Sequence, residues 1–537
     1  MLRRHVKIIV KIRRFQLFFM AAAVLSLCSC DTDLFELYEG LPKDTDPKME
    51  ADVWSPSECG IDEVVLESFS IRASLNREVL ADIYFNKTDG RCQATVEHYK
   101  LAMSRLVPTW NGTAARVTVN GVDQIPGKSA VDFSSPVTYR FYASDGKYSD
   151  IRIVLEQGEC SELPVMSLTT EKMVSDRYTW VMSSFRYHLP SDGTFFQSEV
   201  RTRLLYDDSF YSDKKSFDLE FDRGLPMLGM AGDTRWALIS NVPDRTYLRN
   251  KVAGRIGSVL DMAWNPSSEY CELFVNNVYQ GLYLFSEQVT VGEKRVNVTQ
   301  ADNARNPEEA GYLFRMDWNR ESHWFQTAVM ELPVNIVYPS AVDAGGERYV
   351  RDFFKKIEQY LYRKEQPDTS FRSLVDMESF AKCWIAYELT VNGNAAVPSS
   401  VWYSKDAFGK LCAGPLWSFD ANSFNESDRF ILRDYETSDF YADTRSLWYS
   451  RLFRDTAFVR TVKDVWEQHR EELKDIVSYV DEQASVISGT VGYTLQKWPT
   501  DRGSNKDMKL PWKEAVDLLK RHVSDRWAFL DKSIASW

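Results

Sequence analysis

The residues of this 537-residue chain that could do chemistry fall into ordered clusters, not into one short catalytic signature. Lys214-Lys215 comes first. The stretch Met227–Val298 follows, with Leu228-Gly-Met230, Trp236, Pro243-Asp-Arg-Thr-Tyr-Leu-Arg-Asn250 and the long run from Cys271 to Val289, which contains Glu287. Later come Gly311-Tyr-Leu-Phe-Arg-Met-Asp317, Tyr387-Glu-Leu-Thr-Val-Asn392 with Asn394, and Gly414-Pro-Leu-Trp-Ser-Phe-Asp420. Six histidines are scattered without HxxxH or HExxH spacing, so a zinc hydrolase is not expected. There is no GxSxG nucleophile elbow and no GxxxxGK[ST] phosphate loop. Nothing marks a carboxylate pair for glycoside hydrolysis. No CxxC or Cys/His cluster occurs, which argues against structural zinc.

Taken in order, these segments resemble the CotH family, kinase-like proteins named after a bacterial spore-coat protein. Pro333, Tyr338-Pro339, Asp376-Met-Glu-Ser-Phe380, Leu447-Trp-Tyr-Ser-Arg-Leu-Phe453 and Trp498-Pro499 extend the resemblance, which spans about 163–537. It implies ATP, a divalent metal (Mg or Mn) and phosphoryl transfer. Such transfer needs cations at the triphosphate, carboxylates at the metal and a group that orients or deprotonates the attacking hydroxyl. On the matching residues, the resemblance assigns nucleotide binding to Lys214, Lys215, Arg249 and Glu287, with Glu287 expected to pair with a lysine. It assigns the metal to Asp420, Ser418 and Asp317, and the catalytic position to Asn394 and Asn392. Read without the family, Lys214 and Lys215 also fit a solvated strand edge, and Asp420 a turn or cap residue.

The charged positions depart from the family pattern. Leu205-Tyr-Asp-Asp-Ser-Phe210 stands where the family has a Gly-rich Arg-Gly-Asn-Ser-Thr-Trp segment. The glycines that let backbone N–H groups approach phosphate are gone, and Asp207 and Asp208 would repel it. Glu220 replaces a family lysine. Ser418 replaces the first acid of Trp-Asp-Phe-Asp, and a neutral hydroxyl is a poor magnesium ligand. Asn394 takes a place where an acid is common. A carboxamide orients a hydroxyl but does not accept its proton, and loss of a general base costs about a hundredfold to ten-thousandfold in rate. Arg315 and Ser399 replace a Glu and a Lys. Two functions are therefore expected. One is a catalytically impaired, pseudokinase-like protein that binds a protein, glycan or nucleotide at the cell surface. The other is an active atypical kinase that phosphorylates exported proteins through Asp420, Lys214 and Lys215.

The elements that must carry these residues are also legible. Arg3, Arg4, Lys7, Lys11, Arg13 and Arg14, a short apolar run and Leu27-Cys-Ser-Cys30 form a lipoprotein-type signal peptide over 1–30, with Cys30 as the lipidation site. Loss of six bases and no acids would take the net charge from −12 to −18. That excludes nucleic acid as a partner and leaves acyl chains to hold the protein at the membrane. A cell-envelope location follows, at the outer membrane or cell surface. Residues 31–56 read as a polar linker. Residues 57–160 show alternating strands broken by Asp89-Gly90, Asn120-Gly121 and Asp145-Gly146, consistent with an all-β immunoglobulin-like sandwich. Residues 161–537 read as an α+β, CotH kinase-like domain with a helical C-terminal part. Within it, Leu248, Val252, Ile256, Val259 and Leu260 mark one helix, with Asp244 and Thr246 placed to cap it. Asn276-Asn277 marks a hairpin turn. Cys271 and Cys383 sit in apolar runs and read as buried single thiols.

Overall fold

The computed structural model describes residues 64–205, 210–301, 304–363, 365–396, 398–433, 447–499 and 505–537. The expected signal peptide, Cys30, the 31–56 linker and residues 206–209 of the altered Gly-rich segment lie outside the described residues.

The first strands are β1 (Val65–Ile71), β2 (Ile83–Tyr84), β3 (Asn86–Thr88), β4 (Arg91–His98), β5 (Pro108–Thr113), β6 (Arg116–Val119), β7 (Val122–Asp123), β8 (Val137–Tyr142) and β9 (Tyr148–Cys160). They form a three-stranded sheet, β2-β1-β5, and a six-stranded sheet, β3-β4-β9-β8-β6-β7. Both sheets contribute to one apolar cluster. Phe69 of the first sheet meets Tyr139 of the second edge-on, with ring centroids 5.3 Å apart. The Asn-Gly and two Asp-Gly pairs all fall between consecutive strands, where positive φ at Gly90, Gly121 and Gly146 suits tight turns.

Seven strands then close a barrel: β10 (Val165–Thr170), β11 (Val181–His188), β12 (Phe195–Leu204), β13 (Phe217–Met227), β14 (Met230–Ile239), β15 (Ser268–Val275) and β16 (Val278–Glu287). Period-two alternation sends Leu204, Leu219, Trp236, Leu238 and Phe285 inward to a single core. Ala237, Ile239, Leu282 and Leu284 point the other way, into the large core shared with the helices. Asn276 and Asn277 turn the β15–β16 hairpin at φ +48° and +66°, which asparagine tolerates better than most residues.

Between β14 and β15 runs α1 (Arg249–Val259). The Asp244 carboxylate accepts from Arg249 N at 2.8 Å and the Thr246 hydroxyl from Leu248 N at 3.2 Å, so both expected residues satisfy N–H groups at the helix start. A second sheet follows in the order β18-β19-β17-β20-β21, from β17 (Tyr312–Met316), β18 (Trp324–Gln326), β19 (Pro333–Tyr338), β20 (Val401–Lys405) and β21 (Leu411–Ala413). Packed with it are α2 (Ala344–Leu361), α3 (Met377–Thr390) and the one-turn α4 (Gly393–Ala396). The chain continues through α5 (Tyr449–Leu452), α6 (Thr456–Lys474), α7 (Ile476–Lys497) and α8 (Trp512–Ala535). The mixture of strands and helices, with helices dominating the C-terminal part, is the expected α+β class. All five described cysteines are free, and Cys271 and Cys383 are fully buried, which pushes both thiols up.

Candidate functional site

A cleft opens where the outer wall of the barrel, α1 and the segment Leu416–Asp420 meet. The barrel supplies Ile239, Leu284 and Ser286, α1 supplies Asn250, and the segment supplies Ser418 and Asp420. The backbone of this segment is held by three asparagines. Phe419 N donates to Asn250 Oδ1 at 2.7 Å, Leu416 N to Asn265 Oδ1 at 3.0 Å, and Ser423 N to Asn505 Oδ1 at 3.2 Å. Asn505 Nδ2 donates to Asp420 O at 2.7 Å and to Pro243 O at 3.0 Å. Ser418, Asn422 and Phe424 have φ of +63°, +49° and +53°. Non-glycine residues there cost energy unless their surroundings hold them, and the carboxamide clamps do so.

The catalytic candidates reach the same segment. Gly393 lets α4 come close, since a Cβ there would lie 2.1 Å from Asn422 Nδ2. Asn394 Nδ2 then points at Ala421 O, 3.5 Å away. Asn392 is buried and its Oδ1 accepts from Ala395 N at 2.9 Å, so it caps α4. Asn394 thus reaches the loop that carries Ser418 and Asp420.

The expected cations lie elsewhere. Lys214 is not a solvated strand edge: it is 1% exposed, donates to Ser240 O at 2.7 Å and to Leu282 O, and lies over the rings of Tyr247 and Tyr283. Burial lowers its pKa well below the ordinary lysine value. Lys215 donates to Phe210 O at 2.8 Å. Arg249 is buried between Asp244 and Asp507, the latter at 2.6 Å. Its guanidinium ties the start of α1 to the segment before α8. Glu287 pairs with Arg295 at 2.7 Å instead of with a lysine, because Arg295 also reaches Ala231 O and lies over Trp236 at the barrel mouth. It lines a second opening, beside the Leu228-Gly-Met230 turn and Trp264, that shares Asn265 with the cleft. Glu220 faces Arg201 across the strands at 3.2 Å. Asp317 is buried in a turn: Asn319 N donates to it at 2.7 Å and Ser400 N at 3.1 Å.

Sequence reasoning missed Asn265, Asn505 and Arg295. Their work is to bond backbone or one acid across long loops, and no local pattern marks that. Asn250 closes a segment already singled out, so its signal was present.

The donor set does not suit a divalent metal. Asp420 is the one carboxylate among the described cleft-lining residues, and Ser418 adds a neutral hydroxyl. Among the described residues no group of three His, Cys, Asp or Glu side chains is arranged to hold a metal. A triphosphate fits no better, because no described lining residue is a base.

Comparison with known families matches residues 206–530 to the family described as CotH kinase protein, more than half of the chain. The match begins inside the barrel, after β10, β11 and β12. No curated protein matches. A crystal structure of a candidate secreted protein from Bacteroides fragilis NCTC 9343 aligns with 18% of this chain and 97% of its own, at 16% identity and a TM-score of 0.13, a likeness too slight to carry an argument. On the strength of the match over 206–530, the chain belongs to the CotH kinase protein family.

Proposed function

We propose that this CotH-family protein is a lipid-anchored binding protein of the cell envelope whose phosphotransfer chemistry is impaired. One observation carries the reading: the described lining of the cleft holds one acid and no base. Phosphoryl transfer is almost wholly positioning and charge neutralisation, so a cleft of this composition lacks the means to steer a terminal phosphate. The scaffold around the cleft is nonetheless closely bonded, down to the asparagine clamps on the Leu416–Ser423 segment. A well-braced cleft without catalytic charge suits recognition of an exported protein or a glycan. Anchoring through Cys30 is part of this proposal and rests on the signal-peptide pattern.

A second reading, an active atypical kinase, draws on the convergence of Asn394 with Asp420 at one loop. Thermal unfolding of a chain starting after Cys30, with millimolar ATP and Mg²⁺ or Mn²⁺, separates the two. A ligand that binds only the folded state must raise the midpoint. The proposal expects no metal-dependent rise. A rise accompanied by label transfer to a protein acceptor would overturn it.

A further inference from the structure

A buried carboxylate far from the cleft joins three parts of the molecule. Glu272 of β15 is 2% exposed. Its Oε2 accepts from the Tyr279 hydroxyl at 2.5 Å and lies 3.1 Å from His98 Nδ1, and its Oε1 accepts from the Thr490 hydroxyl at 2.7 Å. These partners come from three places: His98 ends β4 of the N-terminal sheets, Tyr279 belongs to the barrel, and Thr490 lies on α7. The His98 ring stacks on Tyr279 with centroids 3.6 Å apart and planes within 12°, and Tyr493 of α7 packs against both. His98 also holds φ +74°, a conformation a non-glycine residue keeps only when its surroundings demand it.

The joint is reinforced on each side. Arg186 of β11 donates to Ala73 O and Val79 O, each at 3.0 Å, and Asp82 N donates to Asn277 Oδ1 at 3.0 Å. Val165, Phe274 and Tyr279 complete the apolar core of the N-terminal sheets. On the helix side, Leu282 N donates to the Thr494 hydroxyl at 2.9 Å and Trp498 Nε1 to Gln280 O at 2.8 Å. Gly281 permits this approach, because a Cβ there would come within 2.6 Å of Thr494 Oγ1.

The same two strands end at the cleft. Ser268 of β15 and Leu284 and Ser286 of β16 line it, and Ser268 is four residues, about 13 Å, from Glu272. We infer that Glu272 is a positioning residue: it fastens the N-terminal sheets and α7 to the hairpin that forms one wall of the cleft, so that release of this joint loosens that wall. The N-terminal sheets are then a working part of the kinase-like core and not a spacer. This inference does not depend on what the cleft binds.

Hydrogen exchange on the full mature chain tests it, with Glu272→Gln, His98→Ala and Tyr279→Phe, and with Glu269→Gln, an exposed acid on the same strand, as control. In Glu272→Gln and His98→Ala, amides in 96–101, 268–287 and 487–497 should exchange at least tenfold faster together, while those in 350–361 of α2 keep their rate. Tyr279→Phe should loosen the same three stretches to a smaller degree, and serves alone if the other two do not fold. Faster exchange confined to the stretch around the substituted residue, or none, overturns the inference, as does an equal response to Glu269→Gln.

Discussion

Replacing Glu388 by Gln should remove a large pH dependence of stability. Glu388 belongs to the family segment Tyr387–Asn392, yet it is fully buried and far from catalysis in its bonding. Its carboxylate accepts from Ile431 N and Leu432 N at 2.8–3.0 Å and from Arg526 Nη2 at 2.5 Å. It therefore pins the segment after the cleft loop to α8. Burial pushes its pKa from the ordinary 4.5 up to about 7, outweighing the opposite pull of the Arg526 guanidinium. Because the folded state binds this proton more tightly than the unfolded chain, the stabilisation is complete below pH 4.5 and is lost as pH rises through 7. At about 1.4 kcal/mol per tenfold in proton affinity, the loss is on the order of 3 kcal/mol. Urea unfolding followed by tryptophan fluorescence at pH 5, 6, 7 and 8 measures it. The native chain should lose on the order of 3 kcal/mol more than Glu388→Gln over that range. Parallel curves would refute the reasoning, since the carboxylate would then be ionised throughout and paired well enough to cancel its burial.

Three further outcomes are expected. Lys214→Met should leave stability unchanged or raise it, because it replaces a desolvated ammonium with an apolar chain of similar length; a loss above about 3 kcal/mol in urea unfolding would show that its bonds to Ser240 O and Leu282 O are worth more than their desolvation. Asn505→Ala removes three hydrogen bonds around the cleft loop and should cost about 2–3 kcal/mol, with faster amide exchange in 416–424 as its local signature. Ser418→Asp combined with Asn394→Asp adds two carboxylates beside Asp420 and should give an Mn²⁺-dependent rise in the unfolding midpoint that the native chain lacks.

Much of the architecture was legible in the sequence because local physics decides it. Period-two alternation and Asn-Gly or Asp-Gly turns marked the N-terminal strands, the Asn276-Asn277 turn marked the β15–β16 hairpin, and the spacing of Val252, Ile256 and Val259 marked α1. In the C-terminal part Asp475 separates α6, which buries Phe458, Val462, Trp466 and Leu473, from α7, which buries Ile476 and Val480. Side-chain roles were less accessible. A lysine pair between strands reads as exposed until the fold shows Tyr247 and Tyr283 closing over Lys214. The partner of Glu287 proved to be Arg295, eight residues on, in a loop with no motif of its own. The Glu272 joint draws on residues 98, 279 and 490, and only the folded chain brings them together.

The most direct measurement is label transfer from γ-labelled ATP by the unaltered sequence from residue 31 onward, with Mg²⁺ or Mn²⁺, to itself and to a serine-rich acceptor. The charge composition of the cleft predicts incorporation no greater than that of an Asp420→Ala control. Incorporation into serine that disappears in the Asp420→Ala chain would contradict the account.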